Sequence, residues 1–185
     1  MAEPIDNLFV VTGGPGSGKS TLIAALAAQG FATMPEAGRT VIRAQMAEGG
    51  SALPWADRAA FAEAMLRRDM QSYREAQGHG APVFFDRGVP DVVGYLRLSG
   101  LAVPAHMEKA ATDLRYNARV FIAPPWREIF HQDAERKQDF AEAVRTCDAM
   151  TAVYRDLGYD LIVLPCAPVE DRVRFVRDMV ATARA

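Results

Sequence analysis

The 185-residue chain has only two cysteines, Cys147 and Cys166, and three histidines, His79, His106 and His131. Neither set has metal-ligand spacing, and two cysteines make no disulfide framework. A stapled secreted scaffold and a zinc site are therefore excluded, and a reducing cytoplasm is the expected setting. Positive charge is not in excess: 21 Lys and Arg face 23 Asp and Glu, for a formal net charge of −2. A general nucleic-acid binder needs a basic surface to release counterions, so no nucleic-acid partner is expected. The longest uncharged stretch, residues 20–35, is interrupted by Gln29 and Gly30 and is too short to span a bilayer. Residues 1–7 carry two acids and no base, unlike a secretory leader. No membrane segment, internal repeat or low-complexity tract is read.

What is present is one sizeable core, since half the residues are hydrophobic. Short apolar runs at 8–11, 31–35, 82–85, 119–123 and 160–164 read as strands. Helical patterns lie between them, at about 19–30, 36–47, 54–77, 91–98 and 104–116, with one ending near 157. In the last helix Val169, Val173, Val176 and Val180 recur at helical spacing. Pro54 is read as a first-turn proline, and Gly30 as a C-terminal cap. Continuous apolar strands alternating with helices predict one α/β domain with a parallel sheet covered on both faces.

The most specific signal is Gly13-Gly14-Pro15-Gly16-Ser17-Gly18-Lys19-Ser20, followed by Thr21, directly after the first apolar run. Glycines let backbone N–H groups wrap phosphate oxygens, Lys19 places a charge at the β and γ phosphates, and Ser20 offers its hydroxyl to Mg²⁺. The following helix aims its positive end at the same anion. ATP with Mg²⁺ is the expected nucleotide, because no guanine-specific Asn-Lys-x-Asp sequence occurs.

In an open parallel sheet, ligands sit beyond the carboxyl ends of the strands. Val83-Phe84-Phe85-Asp86 has the form of a strand whose aspartate holds Mg²⁺, and Arg87 next to it can grip a phosphate. Glu36 closes the second strand and is placed to take a proton from an acceptor hydroxyl. The alternative is that it only starts the next helix. Arg39, one turn on, joins Arg87 as a candidate acceptor ligand. Asp91 and Tyr95 either face the acceptor together or, for Asp91, cap a helix. Trp55 either stacks on a substrate ring or packs. The charged stretch 126–140, with Arg127, Arg136 and Lys137, reads as a small lid over the phosphates or as a solvated face. Arg136 is its leading cation, and Arg145 lies further along.

These residues resemble a group of small bacterial P-loop ATPases that carry an AAA-domain label and look like kinases. The likeness rests on 13–20, Pro35-Glu36-Ala37-Gly38-Arg39 and Phe84-Phe85-Asp86-Arg87-Gly88 with Asp91 and Tyr95. Leu157-Gly158-Tyr159 and the valine-rich last helix extend it over nearly the whole chain. The group is similar to the ribosylnicotinamide kinase domain of bacterial NAD regulators and, more remotely, to deoxynucleoside and thymidylate kinases. This resemblance implies a five-stranded parallel sheet in the order 2-3-1-4-5 with a lid before the last strand. It also implies Glu36 as base, Asp86 and Arg87 as the acid–arginine pair, and Arg136 as lid arginine. Glu36-Ala37 and Asp86-Arg87-Gly88 depart from the glutamate-proline and Asp-Arg-Tyr of those kinases, which leaves the acceptor open among nucleosides, nucleoside monophosphates and nicotinamide riboside. The functional expectation is a phosphotransferase acting from ATP on a nucleoside-like or nucleotide-like small molecule. The alternative is a regulatory nucleotide-binding module with slow hydrolysis.

Overall fold

The computed structural model describes residues 5–130 and 139–182. Five strands, β1 (Leu8–Gly13), β2 (Ala32–Met34), β3 (Val83–Asp86), β4 (Arg119–Ala123) and β5 (Asp160–Val163), form one sheet in the order β2-β3-β1-β4-β5. Every pairing is parallel, with Leu8 beside Val83 and Val11 beside both Asp86 and Phe121. The expected order and fold class are those observed. The helices are α1 (Lys19–Ala28), α2 (Ala37–Glu48), α3 (Arg58–Ala76), α4 (Val89–Leu98), α5 (Ala105–Asp113), α6 (Phe140–Asp156) and α7 (Val169–Thr182).

The two-residue period of a strand divides the apolar runs between two faces. Leu8, Val10, Val83, Phe85, Val120 and Ile122 point to one side and pack on Tyr73 of α3 and Cys147 and Tyr154 of α6. Phe9, Val11, Phe84, Phe121 and Ala123 point to the other, against Leu22 and Leu26 of α1 and Val173 and Val176 of α7. Phe84 is fully buried there, with ring centroids 5.7 Å from Phe9 and 5.3 Å from Phe31. A further apolar cluster joins α3, α4, α5 and α6, and another holds α2 against α3. The central strands β1 and β3 are buried throughout. Both edge strands are partly exposed, with Val163 of β5 62% exposed.

Three boundaries differ from the sequence reading. Helix α3 starts at Arg58, not Pro54, because the Asp57 carboxylate accepts from the Ala60 N–H and fixes the first turn there. Residues 51–57, including Pro54 and Trp55, stand outside it as a loop. Helix α4 starts two residues before Asp91, and α5 ends at Asp113 so that Tyr116 can turn into the core. Among the described residues no helix is long and apolar enough to cross a membrane.

Phe84→Ala removes a buried ring from the α1–α7 face and is expected to destabilise the fold by about 3–5 kcal/mol, read as a lower midpoint in urea unfolding.

Candidate active site

The sheet delivers its functional residues at its carboxyl edge. Gly13 ends β1 at φ +134°, and a Cβ there would lie 2.2 Å from the Ala123 carbonyl oxygen. Gly18 precedes α1 at φ +76°, a left-handed conformation open to glycine at little strain. Between them the loop curls around Lys19, whose Nζ donates to the Gly14 carbonyl at 2.6 Å and to Ser17 Oγ at 3.2 Å. The lysine side chain is thus folded along the loop that it serves.

Ser20 Oγ donates to Asp86 Oδ2 at 3.0 Å. The other carboxylate oxygen, Oδ1, is buried with no hydrogen-bond partner among the described residues. Burial, then the charge of Glu36, raise the Asp86 pKa, while Lys19, Arg87 and Ser20 oppose them. An orphaned carboxylate oxygen beside a serine hydroxyl, both hard oxygen donors, fits Mg²⁺ held jointly with phosphates. The expected Mg²⁺ pair, Ser20 and Asp86, is therefore brought together.

Arg87 follows at φ +74°, the one non-glycine residue with positive φ among the described residues. That strained backbone turns its guanidinium inward, where Nε meets Glu36 Oε1 at 3.1 Å and Nη1 meets Asp91 Oδ1 at 2.9 Å. Burial opposes the Arg87 charge, but Glu36, Asp91 and Asp86 outweigh it and hold its pKa above the ordinary value. Glu36, placed as the residue before α2, also meets Arg39 Nε at 3.3 Å. Asp91 lies in the first turn of α4 and caps it. Its Oδ2 caps the helix by accepting from the Gly88 N–H at 3.1 Å and also accepts from Tyr154 Oη at 2.7 Å. Its Oδ1 accepts from Thr12 Oγ1 as well as from Arg87.

Two cavities flank the phosphate loop and share Pro15. One, of about 440 Å³, is lined by residues 15–21, Arg39, Trp126, Phe130, Pro168 and Arg172. The other, of about 370 Å³, is lined by Glu36, Arg87 and Asp91 at one end and by Phe61, Tyr95 and Trp55 elsewhere. Trp55, 61% exposed, borders this cavity rather than packing into the core. Arg39, expected as an acceptor ligand, lines the 440 Å³ cavity at the phosphate loop and not the 370 Å³ one. In the stretch expected to form a lid, Phe130 and Phe140 meet edge to face at 5.4 Å, and the Arg127 guanidinium lies 4.1 Å from the Phe140 ring centre. Arg136, Lys137 and His131 lie outside the described residues.

Two site residues were missed by the sequence reading. Arg172 of α7, 3% exposed, donates from Nη1 to the Ser17 carbonyl at 3.1 Å, and its Nε has no hydrogen-bond partner among the described residues. The valine stripe of that helix gave no sign of it. Asp69 of α3, 5% exposed, lines the 370 Å³ cavity. A signal existed here, because Ala62, Leu66, Asp69, Tyr73 and Ala76 form one buried stripe with a single acid in it.

The sequence profile of a family described as an AAA domain matches residues 8–172, and the chain belongs to that family. No curated protein matches it in sequence. Thymidylate kinase from Candida albicans superposes with a TM-score of 0.71 at 11% identity, covering 96% of this chain and 92% of that one. The NadR protein in complex with NR gives 0.68 at 16% identity, with 96% of this chain on 50% of that one. Deoxyadenosine kinase from M. mycoides gives 0.60 at 12% identity, covering 95% and 99%. At these identities the likeness establishes the fold, which is that of P-loop kinases.

Burial lowers the Arg172 pKa, the direction of a charge that is disfavoured in the folded state. Arg172→Met is therefore expected to leave the ligand-free melting temperature unchanged or higher. The same variant should weaken ATP binding about tenfold, in line with loss of one charge-assisted hydrogen bond on the loop. Thermal unfolding and titration with a fluorescent ATP analogue check the two halves.

Proposed function

We propose that this AAA-domain protein transfers the γ-phosphoryl group of ATP to a hydroxyl of a nucleoside-like small molecule. The observation that carries this reading is the pair of cavities meeting at Pro15, with the Glu36–Arg39 ion pair between them. A nucleotide switch that only hydrolyses needs one cavity and a residue to orient water. A transferase needs a second cavity whose inner end lies beside the phosphates.

The phosphate loop, residues Gly13 to Thr21, binds the triphosphate. Lys19 and the lid arginine Arg136 neutralise charge on the moving phosphoryl group. Mg²⁺, when bound at Ser20 and Asp86, supplies charge neutralisation at the β and γ phosphates. The acceptor oxygen forms a bond to the γ-phosphorus as the bond to the β–γ bridging oxygen breaks and ADP leaves. Glu36, held in place by Arg39 and Arg87, receives the hydroxyl proton. Positioning of the two substrates accounts for most of the rate, as phosphoryl transfer demands little covalent help from the protein.

A phosphate-bearing acceptor is disfavoured within this reading. Its clamp would have to be Arg87 and Arg39, yet Arg87 is engaged by Glu36 and Asp91 and Arg39 borders the nucleotide cavity.

The test is ADP release from ATP and Mg²⁺ against nucleosides, nucleoside monophosphates and nicotinamide riboside. A nucleoside is expected to stimulate release at least tenfold, with loss of the signal in Lys19→Ala. Glu36→Gln should lower kcat for transfer by roughly 10²–10⁴ with ATP affinity intact. ATP binding without stimulation by any acceptor would replace the kinase with a slow regulatory nucleotide binder.

A further inference from the structure

The acceptor cavity contains a carboxyl group that the reaction above does not use. Asp69 sits midway along α3, on its buried stripe, where Leu66 and Tyr73 are core residues. It is 5% exposed and lines the 370 Å³ cavity, yet it makes no hydrogen bond or ion pair among the described residues. A buried acid kept for structure has partners, as Asp91 does, because an unsatisfied buried carboxylate is strongly penalised. The groups that act on Asp69 electrostatically are Asp91 and Glu36, with Arg87 and Arg68 opposing them. The carboxylates of Glu36 and Asp91 already hold the Arg87 guanidinium between them. An added negative charge in this place meets the carboxylates of Glu36 and Asp91, and an added hydroxyl meets one open hydrogen-bonding position.

We propose that Asp69 is the acceptor-selecting residue of this site, hydrogen-bonding a hydroxyl of an uncharged acceptor and turning anionic acceptors away. The inference rests on reading the 370 Å³ cavity as the acceptor's. Burial first, then Asp91 and Glu36, raise the Asp69 pKa well above the usual carboxylate range. A protonated carboxyl both donates and accepts, which matches a hydroxyl, whereas an anion brings only acceptors and adds charge beside Glu36 and Asp91. A carboxyl whose pKa is higher folded than unfolded favours the fold at low pH, and that contribution is lost as pH rises from the unfolded value, about 4, through the folded one.

The experiment compares wild type, Asp69→Asn and Asp69→Ala, each loaded with a non-hydrolysable ATP analogue. Calorimetric titration uses adenosine, cytidine, guanosine and uridine and their 5′-monophosphates at pH 6 and pH 9. At least one nucleoside is expected to bind wild type, more weakly at pH 9, and tenfold or more tighter than its monophosphate. Asparagine copies the protonated acid, so Asp69→Asn should bind that nucleoside within threefold of the pH 6 wild-type value at both pH values. Asp69→Ala should lose tenfold or more, with ATP-analogue affinity unchanged. Ligand-free Asp69→Asn should gain melting temperature over wild type at pH 8 by more than it does at pH 5. That measurement stands even where the alanine variant fails to fold.

Undiminished nucleoside binding in Asp69→Ala, equal or tighter binding of the monophosphates, or no binding by any nucleoside overturns the proposal. A pH profile unchanged in Asp69→Asn overturns it equally. Wild-type phosphoryl transfer is scored separately. Transfer that ignores Asp69 removes this inference and leaves the kinase, whereas Asp69-dependent binding without transfer removes the kinase and leaves the acceptor site.

Discussion

The site is organised around the Arg87 guanidinium. Its backbone leaves β3 in a left-handed conformation, and its side chain is clasped by Glu36 from the end of β2 and Asp91 from the first turn of α4. Asp91 extends the clasp to Thr12 on β1 and Tyr154 on α6. One buried cation thereby ties three adjacent strands to the helices on one side of the sheet. With Arg87 out of place, Glu36 would lose one of its two arginine partners and Asp91 would be a buried charge short of its cation.

Such a network is poor material for stability alone. Desolvating several charges together offsets most of their mutual attraction, and an apolar cluster of equal volume would do as well or better. Its value lies in fixing positions, since a low-dielectric surround makes each hydrogen bond strong and each misplacement expensive. In the lining of the 370 Å³ cavity the acids Glu36, Asp69, Asp91 and Glu142 outnumber the arginines Arg58 and Arg87. The 440 Å³ cavity has the opposite character, lined by Lys19, Arg39, Arg172 and the first turn of α1. The phosphate loop stands between a basic cavity and one whose lining is richer in acids.

The two faces of the sheet divide this work. The α1–α7 face is aliphatic and aromatic and holds the phosphate loop rigidly from below, with Arg172 reaching over its edge to Ser17. The α3–α6 face carries tyrosines among its apolar residues, and these link core to site. Tyr154 donates to Asp91, while Tyr116 Oη accepts from the Val89 N–H at the start of α4. Burial, and for Tyr154 the neighbouring Asp91 charge, raise the pKa of both phenols well above their usual range, so they remain donors.

Much of this was legible in the residues themselves. Strand positions, the phosphate loop and the Ser20–Asp86 pair follow from local chemistry: apolar runs, glycine's conformational freedom, and an acid closing a buried strand. Contacts across the sheet were not legible, because they depend on which strands lie side by side and how helices rotate over them. Sequence spacing alone could not place Arg39 with the nucleotide, give Asp91 four partners, or bring Arg172 against a loop 155 positions away. Asp69 shows the division most clearly. The buried stripe of α3 marks it as an acid in an apolar setting, but only the packed helix shows that it borders a cavity and has no partner within the described chain. Local sequence determines what each element is, and tertiary packing determines which charges share one low-dielectric space.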